Sequence, residues 1–136
     1  MRCHIQATAK NAPLQPVQCK ARIGGEWTGW VDVSNGQSDY TWSSIRLHAA
    51  TGLHSVWAQD EGGVDQVYYN TGDAATNAWN VPVGISSGID HAVMPVVDAD
   101  GEGYAHVVWT EMKLEAGEDG EGDVCYRKVR YEDLAE

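Results

Sequence analysis

The sequence predicts an all-β chain made of repeated, four-stranded antiparallel sheets, and three observations predict it. First, segments recur at a fixed spacing. Residues 27–36, WTGWVDVSNG, match 79–88, WNVPVGISSG, and 53–57, LHSVW, match 105–109, AHVVW, both pairs offset by 52. A further set, VQCK at 17–20, VYYN at 67–70 and VCYR at 124–127, recurs in the same order, and CHIQA at 3–7 is a worn copy of the x-H-x-V-W pattern. Repetition at this period is the mark of stacked or radially arranged units. Second, the repeated pieces SSIRLHA, LHSVWAQ, QVYYNTG and NVPVGIS are short and rich in β-branched and aromatic residues, which suits strands. Third, turn formers (ATG, DEGG, GDAATN, SSG) separate them, and no dozen residues carry a helical apolar period unbroken by Gly or Pro.

Taken in order, one repeat holds four strands, A to D. The complete middle repeat places A at 43–49, B at 53–59, C at 66–72 and D at 80–86. The first repeat has B at 2–8, C at 17–23 and D at 28–34; the last has A at 94–99, B at 104–112 and C at 123–130. Four antiparallel strands repeated radially make the blade of a β-propeller. The chain therefore reads as one propeller segment of about two and a half blades: 1–36 a partial blade, 37–88 a full one, 89–136 a partial one. Strand B is almost continuously apolar, as in AHVVW, which suits a sheet covered on both faces. Trp57 and Trp109 end strand B, and Trp27 and Trp79 precede strand D, where large rings can fill the wedge between sheets. The ragged strand count predicts that the chain is incomplete and that whole copies do not tile into four-stranded blades. Pro13, Pro16, Pro82 and Pro95 are expected in loops or near strand starts.

Composition narrows the function. Of 136 residues 43% are hydrophobic, enough for a core, yet no apolar run is long enough to span a membrane. The net charge of −11 disfavours a nucleic-acid phosphate site, which needs clustered cations. Charge is uneven: residues 1–25 hold four bases and no acid, whereas the rest carries a net −15, much of it in KLEAGEDGEGD at 113–123, read as a solvated loop. Cys3, Cys19 and Cys125 are too few and scattered for a disulfide scaffold or a zinc knuckle, and read as buried or half-buried thiols. The first ten residues show no apolar leader segment, which means a cytosolic protein or a start upstream.

The run PVVDADGEGYAHVVWTE with DVCYR, and YYNTGDAATNAWNVPVGIS before it, resembles a blade of the sialidase-like (BNR or Asp-box) propellers over residues 17–130. Their Asp-box turn reads S-x-D-x-G-x-x-W. Thr71, Asp73 and Trp79 stand in that place, with Ala75 at the glycine position and Trp79 one residue later; in the first repeat Gly24 and Trp27 keep the spacing while Lys20 and Arg22 replace Ser and Asp. The resemblance implies a propeller fold, glycans as partners, and an extracellular or cell-surface setting. It also implies a non-catalytic glycan-recognition or scaffold role, with part of an exo-acting glycoside hydrolase as the alternative. Catalytic relatives use an arginine triad, a Tyr/Glu nucleophile pair and an Asp acid/base. This chain has no R-I-P motif; Arg46 is a lone strand-A arginine, read either as a carboxylate binder or as an inter-blade salt bridge. Tyr126–Arg127 matches a family Y-R pair that also serves packing. SIRLHAATG is similar to the start of fucose-binding propeller lectins, a third reading, but LHSVWAQ lacks their glutamate.

Candidate ligand-binding residues are Arg46 and the two tryptophans outside the shared pattern, Trp30 and Trp42, as sugar-stacking platforms. His4, His54 and His106 recur at one position and are expected to be hydrogen-bonded between sheets rather than to ligate metal. DADGEG at 98–103 reads as a tight acidic turn rather than a calcium loop. Ser43 or Ser44 with His48 and Asp39 makes a triad by residue type only. No cofactor or metal is expected; other blades or protein chains are the expected partners at exposed sheet faces.

Overall fold

The computed structural model describes residues 2–6, 16–34, 40–88, 90–112 and 122–134. Among the described residues it is all-β, with twelve strands in three antiparallel sheets and one 3-10 turn at Tyr131–Leu134. Sheet 1 holds β1 (Arg2–Gln6), β2 (Gln18–Ile23), β3 (Glu26–Trp27) and β4 (Val31–Asp32). Sheet 2 holds β5 (Tyr40–His48), β6 (Gly52–Glu61), β7 (Val64–Asp73), β8 (Ala78–Trp79) and β9 (Val83–Gly84). Sheet 3 holds β10 (His91–Ala99), β11 (Tyr104–Met112) and β12 (Gly122–Arg130). Among the described residues no sheet closes into a barrel. These are the expected strands at nearly the expected places. Strand D alone is not continuous: it splits into β3 plus β4 and β8 plus β9, all pairing with strand C. Pro82, which has no N–H to give, falls in the gap between β8 and β9. Of the acidic run at 113–123, residues 113–121 lie outside the described residues.

The sheets stack face to face through two apolar cores. Val17, Cys19 and Val33 of sheet 1 and the loop ends beside it meet Trp57, with Ile45, Tyr68 and Trp79 against them. Val56, Val67, Tyr69 and Ile85 then meet Ala92, Val97, Ala105, Val107 and Trp109. Sheet 2 is therefore covered on both faces, and β6 is buried almost throughout. In β11 burial alternates, because only one face of sheet 3 is covered. Trp57 and Trp109 are buried at equivalent places, each on the face toward the preceding sheet. Trp79 lies over Gly72, where a methyl group would come within 2.7 Å of its ring. Its counterpart Trp27 fills no wedge: with no sheet described before sheet 1 it stays 46% exposed.

Strands β5 and β10 share a device that the repeat pattern did not disclose. Register skips at Thr41/Ser43 opposite Trp57 and at Val93/Val96 opposite Trp109. The bulged residues, Trp42 and Met94, are 52 positions apart and both adopt a left-handed backbone, φ 47° and 53°. Pro95 follows Met94 inside the strand, not near its start as expected, because a bulge tolerates a missing donor. Both strands also begin about three residues earlier than predicted, since pairing resumes beyond the bulge.

If the buried indoles hold adjacent sheets together, Trp57→Ala and Trp109→Ala each cost about 3–5 kcal/mol, the range for truncating a buried aromatic. Chemical denaturation with two spectroscopic probes measures this; a loss under about 1 kcal/mol would mean that the ring packs on nothing.

Candidate functional site

The polar residues of the chain are organised by the same repeat. Asn70, at the fourth position of VYYN, is buried and donates through Nδ2 to the carbonyls of Val33 (2.8 Å) and Asn80 (2.8 Å). Arg127, at the fourth position of VCYR, donates through Nη1 to the carbonyl of Ile85 at 2.6 Å. Val33 and Ile85 are themselves 52 residues apart. So a strand-C donor twice reaches back to the same carbonyl of the preceding repeat. Asn77, left-handed at φ 58° and buried, adds a second tie: its Nδ2 donates to the Cys19 carbonyl (3.1 Å) and its Oδ1 accepts from Trp79 Nε1 (2.8 Å). It sits in the turn that resembles an Asp box, where Asp73 Oδ1 accepts from the Ala75 amide (2.7 Å).

The histidines behave as a structural pair. His54 Nδ1 lies 2.7 Å from the Tyr69 hydroxyl and Nε2 lies 2.9 Å from Thr51 Oγ1. Burial lowers the His54 pKa from 6.5 to about 4, with His48 nearby adding to the effect and Asp98 opposing it. His106 Nδ1 lies 2.7 Å from the Tyr126 hydroxyl, in the same stacked geometry, but its Nε2 donates to Asp100 Oδ2 at 2.7 Å. That hydrogen bond, helped by the Tyr104 and Glu102 amides, holds the Asp100 carboxyl at about 2. DADGEG is the tight acidic turn that was expected: Asp100 Oδ1 accepts from the Glu102 and Tyr104 amides. The recurrence is of two histidines, however, not three. Register pairs His4 with Lys20, the partner position of Ser55, and puts Cys3 in the place of His54 and Cys19 in the place of Tyr69. Cys19 is not the thiol that was expected but is disulfide-bonded, and Cys125 is free. Among the described residues no group of three or more His, Cys, Asp or Glu side chains is placed to hold a metal ion.

Arg46 pairs with Asp98 at 3.1 Å across sheets 2 and 3. These too are repeat equivalents, 52 apart, on strands β5 and β10 that run beside each other. The other two candidates are not gathered around it. Trp42 is 53% exposed at the β5 bulge. Trp30 is 40% exposed on sheet 1, with Lys20 Nζ 5.3 Å above its ring and 5.0 Å above that of Trp27. In the triad suggested by residue type, Asp39 lies outside the described residues, and His48 Nδ1 accepts from the Ala50 amide at 3.3 Å. What sequence reading missed is an open cavity of about 570 Å³ at the rim of sheet 2, lined by Thr51, Thr71, Asp73, Asn80, Tyr131 and Glu132 among others. Asn80 Nδ2 donates to Thr71 Oγ1 at 2.7 Å, and Tyr131 also packs against His54, 5.1 Å between centroids. Small residues at Ala49, Ala50, Gly52, Gly72 and Ala74 leave the space. The small residues at the turns were the only signal for it.

No protein family, curated protein or solved structure matches this chain. Among the described residues no helix is long and apolar enough to cross a membrane.

Two outcomes follow from the site. Asn70→Ala leaves the buried Val33 carbonyl without its donor and costs about 1–3 kcal/mol in denaturation. His54 is neutral in the folded chain at neutral pH, while the unfolded chain takes up a proton below 6.5. Its contribution is therefore complete above about pH 6.5 and is lost as the pH falls toward 4, with a slope of at most about 1.4 kcal/mol per pH unit. Melting curves across this window decide it: the slope shrinks in His54→Gln.

Proposed function

We propose that the chain is a segment of a sialidase-like β-propeller with a recognition or scaffolding role, and that it binds neutral glycan without turning it over. The observation that carries this reading is the use to which its polar residues are put. Asn70 and Arg127 tie one sheet to the last, Arg46 pairs with its own repeat equivalent Asp98, and each described repeat histidine is held by a tyrosine. Arg46 is the only arginine between residues 23 and 126, and a side chain already paired is a poor substitute for a carboxylate-binding triad. The stacking of sheets at a constant repeat, with strands β5 and β10 side by side, supports blades arranged about an axis. On this reading 1–36, 37–88 and 89–136 are successive blade portions.

In the sialidase-like relatives hydrolysis needs an Asp acid/base, a Tyr/Glu nucleophile pair and an arginine triad gathered in one site, an exception to the paired-carboxylate rule of most glycosidases. Asp98 and Asp100 are instead committed to Arg46 and to His106. The cavity at the sheet 2 rim offers hydroxyls, an amide and one aromatic ring, the groups that orient a hydroxyl-rich ligand. Asp73 on its wall repels an acidic sugar, while Glu132 beside it is paired with Arg130 at 3.6 Å. Trp42 presents a second exposed ring; Trp30 is the weaker platform because Lys20 lies over it. The disulfide at Cys19 fits an oxidising, extracellular setting.

Titration with neutral oligosaccharides, followed by calorimetry or amide shifts, tests the reading. Binding is expected to weaken in Tyr131→Ala if the cavity is the site and in Trp42→Ala if the bulge is. Sialylated sugars bind more weakly than neutral ones, and aryl sialosides are not hydrolysed. Hydrolysis that disappears in Arg46→Ala overturns the proposal in favour of the hydrolase.

A further inference from the structure

Sheet 3 carries on its outer face the residues that sheet 2 uses to pack against sheet 3. Register aligns Val108 with Val56, Val124 with Val67 and Tyr126 with Tyr69. In sheet 2 all three are fully buried in the core shared with sheet 3. In sheet 3 they are 41%, 78% and 59% exposed, and Val96 beside them is 61% exposed. His106 and Tyr126 keep the hydrogen-bonded, stacked geometry of the buried pair His54 and Tyr69 without its cover. This argues that the arrangement is built for packing and not for proton transfer.

The opposite end of the stack shows the other half of the same contact. Sheet 2 turns Trp79, Tyr68 and Trp57 toward sheet 1. On sheet 1, Trp27 is equivalent to Trp79 and lies exposed on the face turned away from sheet 2, with Lys20 over its ring. Lys20 holds the position from which Asn70 and Arg127 reach the preceding sheet. The two free faces are thus equivalent to faces that pack on each other twice within the chain; the match is apolar, since sheet 3 has no described strand D to offer the carbonyl that Asn70 and Arg127 meet.

We propose that the outer face of sheet 3 docks the outer face of sheet 1 of a second copy, so that chains associate head to tail through the packing that joins sheets 1, 2 and 3. The contact is face to face and needs no strand exchanged between copies, so ragged strand numbers do not prevent it. Being heterologous, it leaves one half-interface open at each end unless the rotation closes a ring. It rests on the observed sheet packing and is independent of the glycan reading.

Sedimentation velocity over a wide range of concentration tests it, with circular dichroism to establish that each variant folds. The wild-type chain is expected to associate. Val124→Asp, on sheet 3, and Trp27→Asp, on sheet 1, are each expected to sediment as monomers, since both positions are exposed in the single chain. Mixing the two variants restores one intact interface and yields a heterodimer and nothing larger. Should Val124→Asp fail to fold, Val96→Lys on the same face replaces it. A wild-type chain that stays monomeric throughout, association that survives Trp27→Asp, or a mixture that remains monomeric overturns the proposal.

Discussion

The structure depends on one constraint: the carbonyl that ends each strand D is enclosed by the next sheet and must be met from there. A buried carbonyl left without a donor costs about 1–3 kcal/mol. The backbone on either side is already committed. The Val33 amide donates to the Val17 carbonyl and the Ile85 amide to the Val67 carbonyl, while Ser34 and Ser86 hydroxyls accept from the Val17 and Val67 amides. In both described cases the donor to the remaining oxygen comes from the next repeat. Asn70 reaches it with a short amide and Arg127 with a long guanidinium, so the chemistry of the donor varies while its address does not. Hydrophobic contact brings the sheets together without direction; these bonds fix how one sits on the next.

With that offset fixed, other positions inherit their roles. Arg46 and Asp98 occupy one position in consecutive repeats and meet because consecutive strands A lie alongside each other. The His54–Tyr69 pair spans two strands of one sheet and is sealed by sheet 3, which explains why His54 is kept neutral by burial. In sheet 1 the same two places belong by register to Cys3 and Cys19, the latter disulfide-bonded.

The strands were legible because their signal is local: alternating or continuous apolar runs bounded by glycine-rich turns. The inter-sheet tryptophans were legible because Trp57 and Trp109 repeat at a constant spacing. Three features were not. The histidine set was misjudged at His4, since a one-residue shift in the pairing of β1 moves the match to Ser55 and sequence identity alone cannot see register. Asn70 and Arg127 escaped because the shared property is reach to a distant carbonyl, not residue type. The cavity at the sheet 2 rim is made by small residues in two separate turns, Ala49–Gly52 and Gly72–Ala75, which only the pairing of β6 with β7 brings together. For the candidate ligand residues, the alternative reading of Arg46 as an inter-sheet ion pair is the geometry observed.

The bulges explain why large side chains project from strand A at all. Ala92 and Val97 both enter the core between sheets 2 and 3, although they are five positions apart. In an uninterrupted strand an odd separation puts two side chains on opposite faces. One extra residue between them restores the phase, and that residue is Met94, pushed outward and left-handed opposite Trp109. The same construction places Trp42 opposite Trp57. A left-handed backbone at a residue other than glycine costs about 1–2 kcal/mol, which the burial of the facing indole offsets. Position 42 is therefore exposed for a structural reason, and a side chain freed from packing is one that can be chosen for contact. Trp42 is an aromatic ring at a site where Met94 shows that the fold asks only for a residue that can stand outside.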